Sequence, residues 1–459
     1  MTFRTLSLAG LLLLFGCTTL AAADKKITAK ELPPAVAKAV QEETRGATIK
    51  GYSKEVENGK TSYEVETVVN GHTRDLIFDA AGHLLIVEEQ VSLDAVPPPV
   101  KSAFEARGKV LLAETVTKDG QVTYEAQVRQ KNGKRTEVVV NADGPYHFTK
   151  EISIGGEGGW DYLSVDPAAH RLYVSHATHI AVIDTQAGKV VGDIPDTPGV
   201  HGFAIAADLG RGFSSNGREN KVGIIDLKTL KLIQKVDTGE NPDAILYEPA
   251  RKEVYAFNGR GKSATIIDAQ TGKVVATVPL EGKPESGQAD SKAGKVYVNM
   301  EDLNAIKVID TATHKVTDTW PIAPGEAATG MAFDAVNHRL FIGCDNKLML
   351  MVDSTSGKMI YSVPVGAGVD STWFDPTTKL AFTSDGESGT VTVAREESPT
   401  LLKVVQTLKT RPGARTMALD PTTHAIYLAA TDYEPQPAGS KARPKPIVGT
   451  FRVLVYSMK

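Results

Sequence analysis

Apolar and polar positions in the larger, C-terminal part of the chain repeat on a fixed beat. The run Ala181-Val-Ile-Asp184 ends in an acid, a polar stretch with Gly188 follows, and a β-rich run resumes at Lys189-Val-Val191. That pattern predicts two antiparallel strands joined by a tight hairpin. The same ending recurs at Ile225-Asp226, Ile267-Asp268, Ile309-Asp310 and Val352-Asp353, a step of about 42 residues. A fixed step of this size in all-β sequence predicts a propeller with one four-stranded blade per repeat.

A second acid closes the first strand of each repeat: Asp166, Asp208, Glu248, Asp290, Asp334, Asp375 and Asp420. Seven markers predict seven blades. An aromatic keeps the beat in the next strand at Tyr173, Phe213, Tyr255, Tyr297, Phe341 and Tyr427, and on this count Phe382 of the sixth blade falls one place late. A residue repeated in every blade cannot form a single active site, so these acids are read as turn caps that bind backbone N–H groups. The last blade has three strands of its own, at 415–419, 425–429 and 451–456. The unassigned segment Phe148–Ile154 is expected to supply the fourth beside 451–457, which protects an open edge.

The N-terminal part changes pattern. Glu31–Val40 reads as a helix with Pro in its first turn. Strands follow, punctuated by Asn58-Gly59, Asn70-Gly71 and Asp79-Ala-Ala-Gly82. The order then repeats: a helix over Ala95–Phe104, then strands around Asp119-Gly120, Asn132-Gly133 and Asn141–Gly144. The expected fold class is therefore mainly β, a seven-bladed β-propeller preceded by an α+β tandem helix-plus-antiparallel-sheet module. The boundaries are 1–23 for an export signal, 24–147 for the tandem module and 148–459 for the propeller.

The export signal rests on Arg4, the short apolar stretch Leu6–Phe15 and two alternative processing sites. Ala21-Ala-Ala23 suits signal peptidase, whereas Leu14-Phe-Gly-Cys17 suits lipidation of Cys17 and attachment to a membrane. Either implies an extracytoplasmic protein, periplasmic, secreted or lipid-anchored. Cys17 and Cys344 are the only cysteines, so no internal disulfide is expected in the mature chain. A net charge of −4 from 51 basic and 55 acidic residues gives no support for a nucleic-acid surface.

No hydrolase elbow, zinc-protease helix motif, phosphate loop or haem-attachment motif occurs. No catalytic residue, metal or other cofactor is assigned. His170, His314, His338 and His424 fall in turns opposite the expected mouth and read as solvated. His176, His179 and His201 fall on the mouth side, where three imidazoles could converge, although loop histidines more often stay apart. Two sets of loops open on that face, and their residues differ from blade to blade: Trp160, Asp161, His176, His201, Asn216, Arg218, Asp243, Asn258, Arg260, Asn304, Asp345, Asp370, Asp385 and Arg415. Unlike side chains on a repeated scaffold can build an asymmetric ligand pocket. An insertion at 432–446 carrying Lys441, Arg443 and Lys445 is expected to overhang it.

Two family resemblances rest on specific residues. Leu-Pro-x-Ala-Val, Gly-Lys-x-x-Tyr-x-Val and Asp-Ala-x-Gly in the N-terminal part resemble the PepSY-like family, also seen as tandem β-lactamase-inhibitor-like proteins. That implies a binding or inhibitory module outside the cytoplasm. Leu172-Tyr-Val-Ser175, Val296-Tyr-Val-Asn299, Val308-Ile-Asp-Thr311 and Thr271-Gly-Lys-Val-Val275 resemble the YVTN-repeat, YncE-like seven-bladed propellers of bacterial envelopes. The resulting expectation is a non-enzymatic envelope binding protein whose mouth recognises a small molecule, a glycan or an envelope protein. A lactonase-like hydrolase using mouth carboxylates and a divalent cation is the first alternative. Polyanion or nucleic-acid binding through Arg218, Arg260, Arg415 and the insertion is the second.

Overall fold

The computed structural model describes residues 25–57, 60–118, 121–141, 144–434 and 445–458. Cys17, the processing sites, the turns at 58–59 and 119–120, and Lys441 and Arg443 lie outside the described residues. The chain divides into two compact units, one ending at Gly144 and the other starting at Pro145. Among the described residues, no helix is long and apolar enough to cross a membrane.

The first unit is one eight-stranded antiparallel sheet in chain order with two helices, Pro34–Glu43 and Pro98–Arg107. Each helix starts on proline, where the missing N–H is no loss. Val36 and Val40 pack on Tyr63, Val65, Leu76 and Phe78, and Val100 and Phe104 on Ala113, Ala126 and Val128. The two sequence copies therefore each bury a helix on their own strands. Leu84–Gln90 pairs with Lys109–Lys118 and fuses them into a single sheet.

The second unit is seven four-stranded antiparallel sheets. The inner strands are Trp160–Asp166, Val200–Ala206, Pro242–Glu248, Pro284–Asp290, Ala328–Asp334, Val369–Asp375 and Met417–Leu419. The apolar runs become second and third strands, buried on both faces between adjacent blades. Tyr146–Ser153 is the outer strand of blade seven, pairing Ser153 with Arg452 and Tyr146 with Met458, so closure occurs as expected.

The closing strand starts earlier than position 148. Tyr146 is fully buried, exchanges two hydrogen bonds with the Gln406 amide at 2.9 and 2.8 Å, and sets its ring edge-on to Phe382. The propeller boundary therefore lies at the Gly144-Pro145 breaker.

Blade two, not blade six, breaks the sequence beat. Phe382 pairs with Trp373, two residues before the marker acid Asp375, just as Tyr173 pairs with Ser164, two before Asp166. In blade two the inner strand ends at Ala206, and Asp208 sits in the short 3₁₀ turn Ala207–Leu209. Counting by a fixed period hid this, because blade lengths vary in the turns while strand pairing does not. Blade six instead lengthens its outer hairpin to Thr390–Ser398 and Leu401–Lys409, with Arg395 where blades one to five carry Asp.

The repeated acids are turn caps. Asp184 accepts from the N–H groups of Gln186 and Ala187, Asp268 from Gln270 and Thr271, and Asp310 from Ala312 and Thr313. The four turn histidines all adopt left-handed backbone, with φ between 53° and 59°. Two of them are not merely solvated. His424 lies 2.7 Å from Asp375, and His314 lies 3.0 Å from Glu253 of the preceding blade.

Candidate functional site

The inner strands of blades one to six each open with one pair to the second strand, then slip register. Trp160 faces His176 before the bulge and Leu163 faces Val174 after it, and blades two to six repeat the slip. A bulge re-aims the side chain it carries. The residue next to that first pair occupies the same place in each blade: Asp161, His201, Asp243, Glu285, Thr329, Asp370 and, in blade seven, Arg415. Around one ring, a repeated backbone position thus carries five kinds of side chain.

Neighbouring blades hold this ring in place. The Asp161 carbonyl accepts from the Thr416 hydroxyl at 2.8 Å, and the Thr329 carbonyl from the Asn299 amide at 3.1 Å. The Asp243 and Arg415 carbonyls accept from the hydroxyls of Ser215 and Ser384. Below the ring lies a channel of about 150 Å³ lined by Tyr162, Phe203, Ile245 and Met331. Tyr162 reaches the apolar cluster of blades three and four around Ala244 and Phe257.

The ring is strongly charged. His201 Nδ1 lies 2.7 Å from Asp161 Oδ2 and 3.5 Å from Asp243 Oδ1. Burial alone would depress this imidazole, but the Asp161 hydrogen bond and the two carboxylate charges hold it up at about 9. Arg415 Nε sits 2.9 Å from Asp370 Oδ2, and its Nη2 lies 4.0 Å from Asp161 Oδ1. Lys283 pairs with Glu285 at 2.7 Å. Burial, reinforced by neighbouring carboxylates such as Asp161 and Asp243, pushes Asp243, Glu285 and Asp370 upward against the pull of nearby cations.

Beside the ring, between blades six, seven and one, opens a cavity of about 1190 Å³. Trp160, Asp370, Glu387, Arg415, Asp432 and Tyr433 are among its walls. The Trp160 ring stacks on Phe451 at 5.4 Å and meets Tyr433 at 6.4 Å. The described base of the insertion contributes here: Tyr433 bridges to Pro446, both lining the cavity, and Lys445 pairs with Glu434 at 3.0 Å. Arg415 belongs to both the ring and the cavity.

The expected site residues divide into three groups. Trp160, Asp161, His201, Asp243, Asp370 and Arg415 gather at the ring and cavity. His176, Asn216, Asn258 and Asp385 do not reach the mouth: each ends a second strand and is fully buried. Asp385 accepts from Thr383, Thr390 and Thr392, while Asn258 donates to Ser263 and Thr265. His176 packs on Phe451 at 4.3 Å, and burial drives its imidazole down to about 4. Arg218, Arg260, Asn304 and Asp345 are exposed in rim loops, where Asn304 caps the Ala327 N–H at 2.7 Å. The three mouth-side imidazoles do not converge: His201 meets carboxylates, while His176 packs edge-on against His179 at 4.8 Å.

Sequence reasoning missed Glu285, Lys283, Tyr162 and Tyr433. Glu285 was within reach: like Asp161, Asp243, Asp370 and Arg415, it stands five residues before its marker acid. Tyr162 and Tyr433 carry no such periodic signal.

No family model matches this chain, and no curated protein does. Among solved structures it is similar to a chain of Kuenenia stuttgartiensis hydrazine synthase, at 15% identity and a TM-score of 0.54 over 59% of this chain and 92% of that one. It is also similar to the WD40 repeats of RRP9, at 11% identity and a TM-score of 0.58 over 70% of this chain and 98% of that one. At such identities the likeness shows the β-propeller fold and nothing about activity.

Proposed function

We propose that this chain is a non-enzymatic binding protein of the cell envelope, and that its propeller mouth takes a small polar molecule or glycan fragment. The observation that carries the reading is the position of Arg415. It joins a ring of unlike charged side chains to a cavity of about 1190 Å³ walled by Trp160 and Tyr433. Aromatic walls beside a few fixed polar groups suit a small polar ligand. The export pattern in residues 1–23 and the YVTN-like and PepSY-like motifs support an extracytoplasmic place, with lipidation at Cys17 as one mode of attachment. On this reading the N-terminal unit is a second recognition module.

Polyanion binding is disfavoured because four of the seven ring positions are carboxylates. The hydrolase reading keeps one specific support, the approach of His201 to two carboxylates. A thermal-shift screen of metabolites and short glycans against the full chain tests the proposal. A ligand that stabilises the wild type and fails to stabilise Arg415→Ala supports it. Hits that shift both proteins equally contradict it.

A further inference from the structure

We propose that Asp161, His201 and Asp243 form a binding site for a divalent transition-metal cation, with zinc as the best-matched ion. The proposal rests on reading the mouth as the binding site and assigns a specific ion to one arc of it.

The three residues occupy the same register position on the inner strands of three consecutive blades. Their ligand atoms lie within 4.8 Å of one another. A tetrahedral zinc ion, bonded to nitrogen and oxygen at about 2.0–2.1 Å, separates its ligand atoms by roughly 3.4 Å. His201 Nδ1 and Asp243 Oδ1 already stand at 3.5 Å. His201 and Asp161 stand at 2.7 Å, a hydrogen-bond distance, so Asp161 must withdraw by roughly 0.7 Å to admit the ion. Its second oxygen faces Arg415 across 4.0 Å, which leaves room on that side.

Charge makes the same arc distinct. Of the four ring carboxylates, Asp370 has Arg415 and Glu285 has Lys283. Asp161 and Asp243 converge on one imidazole, with Arg415 at 4.0 Å from the other oxygen of Asp161. Binding displaces the proton that His201 Nδ1 shares with Asp161, and a doubly charged cation held by two carboxylates and the resulting neutral imidazole makes a neutral half-buried cluster.

The donor set also selects the ion. Imidazole suits zinc and its neighbours and is foreign to calcium, which takes oxygen ligands. Three protein ligands leave a coordination position open. The hydrogen bonds that fix the ring backbone at Asp161 and Asp243 hold two of the three ligands on rigid strands.

The test is isothermal titration of the EDTA-treated full chain with zinc, and with manganese and calcium for comparison. The expected result is one zinc ion per chain. His201→Ala and Asp243→Asn should each weaken binding by at least about tenfold, while the rim substitution Asp345→Ala leaves it unchanged. Zinc-edge X-ray absorption of the wild type should report mixed nitrogen and oxygen ligands, and this holds even where a variant folds poorly. Absence of stoichiometric binding, or equal binding by a folded His201→Ala/Asp243→Asn protein, overturns the proposal. If no cation binds while Arg415→Ala still abolishes the mouth-ligand thermal shift, only the cation site falls. If that shift is also insensitive to Arg415, the mouth reading falls with it.

Discussion

Asp353 and Asp161 are the same residue type on one repeated scaffold, in blades five and one, yet their surroundings give them different work. Asp353 sits in a hairpin turn and accepts from the N–H groups and hydroxyls of Thr355 and Ser356. Burial would raise its carboxyl, but those hydrogen bonds prevail and hold it at about 2. A depressed acid stabilises the fold above its unfolded pKa of 3.8, and that contribution is lost as pH falls through about 2. Asp353→Ala should therefore lower stability at pH 7 by about 1 kcal/mol, and the deficit should vanish in strong acid. A chemical-denaturation series against pH checks both parts. The role of Asp353 was legible because a turn acid depends on local spacing. That of Asp161 was only partly legible, because its aim depends on a bulge that no local pattern marks. The same limit explains why Asn258 and Asp385 read as mouth residues: only the strand pairing reveals that they point into the blade.

Two elements carry loads that their sequence patterns announce unequally. The closing strand Tyr146–Ser153 was legible as an orphan β segment, but its anchor, Tyr146, was not, because the contacts to Phe382 and Gln406 span the whole propeller sequence. Tyr146→Ala should cost about 3–5 kcal/mol, the range for an emptied aromatic core site, read as a lowered denaturation midpoint. In the N-terminal sheet, Asp75 stands opposite Glu88, and Glu114 opposite Glu125. Like charges in directly opposed positions destabilise a sheet. Burial first, and then the neighbouring carboxylates, raise Glu88 and Glu114 to about 7 from 4.5. Acids raised in the folded state hold extra protons there, so this sheet should lose stability as pH climbs from about 4.5 to 7. Glu88→Gln/Glu114→Gln should increase amide-exchange protection of Leu84–Gln90 at pH 8 and change it little at pH 5. Unaltered protection at pH 8 would show that the paired charges cost nothing.

On the scale of the whole chain, the seven blades and their closure were legible, since each follows from periodicity and turn residues. The convergence of the mouth was not, since it joins residues from 160 to 446 that share no sequence neighbourhood. The two compact units divide between Gly144 and Pro145, and each buries its own apolar clusters. Deleting residues 24–144 should therefore leave a propeller with a single cooperative thermal transition. A broad transition in the truncated protein would mean that the units depend on a shared core.

We propose that this protein binds its ligand at the charged ring and the adjoining cavity. Native mass spectrometry of the full chain, recovered gently from the cells that express it, is the sharpest check. A small-molecule adduct is expected on the wild type, lost from a folded Trp160→Ala/Arg415→Ala protein and kept by the propeller lacking residues 24–144. An adduct that survives the double substitution and disappears with residues 24–144 would contradict it.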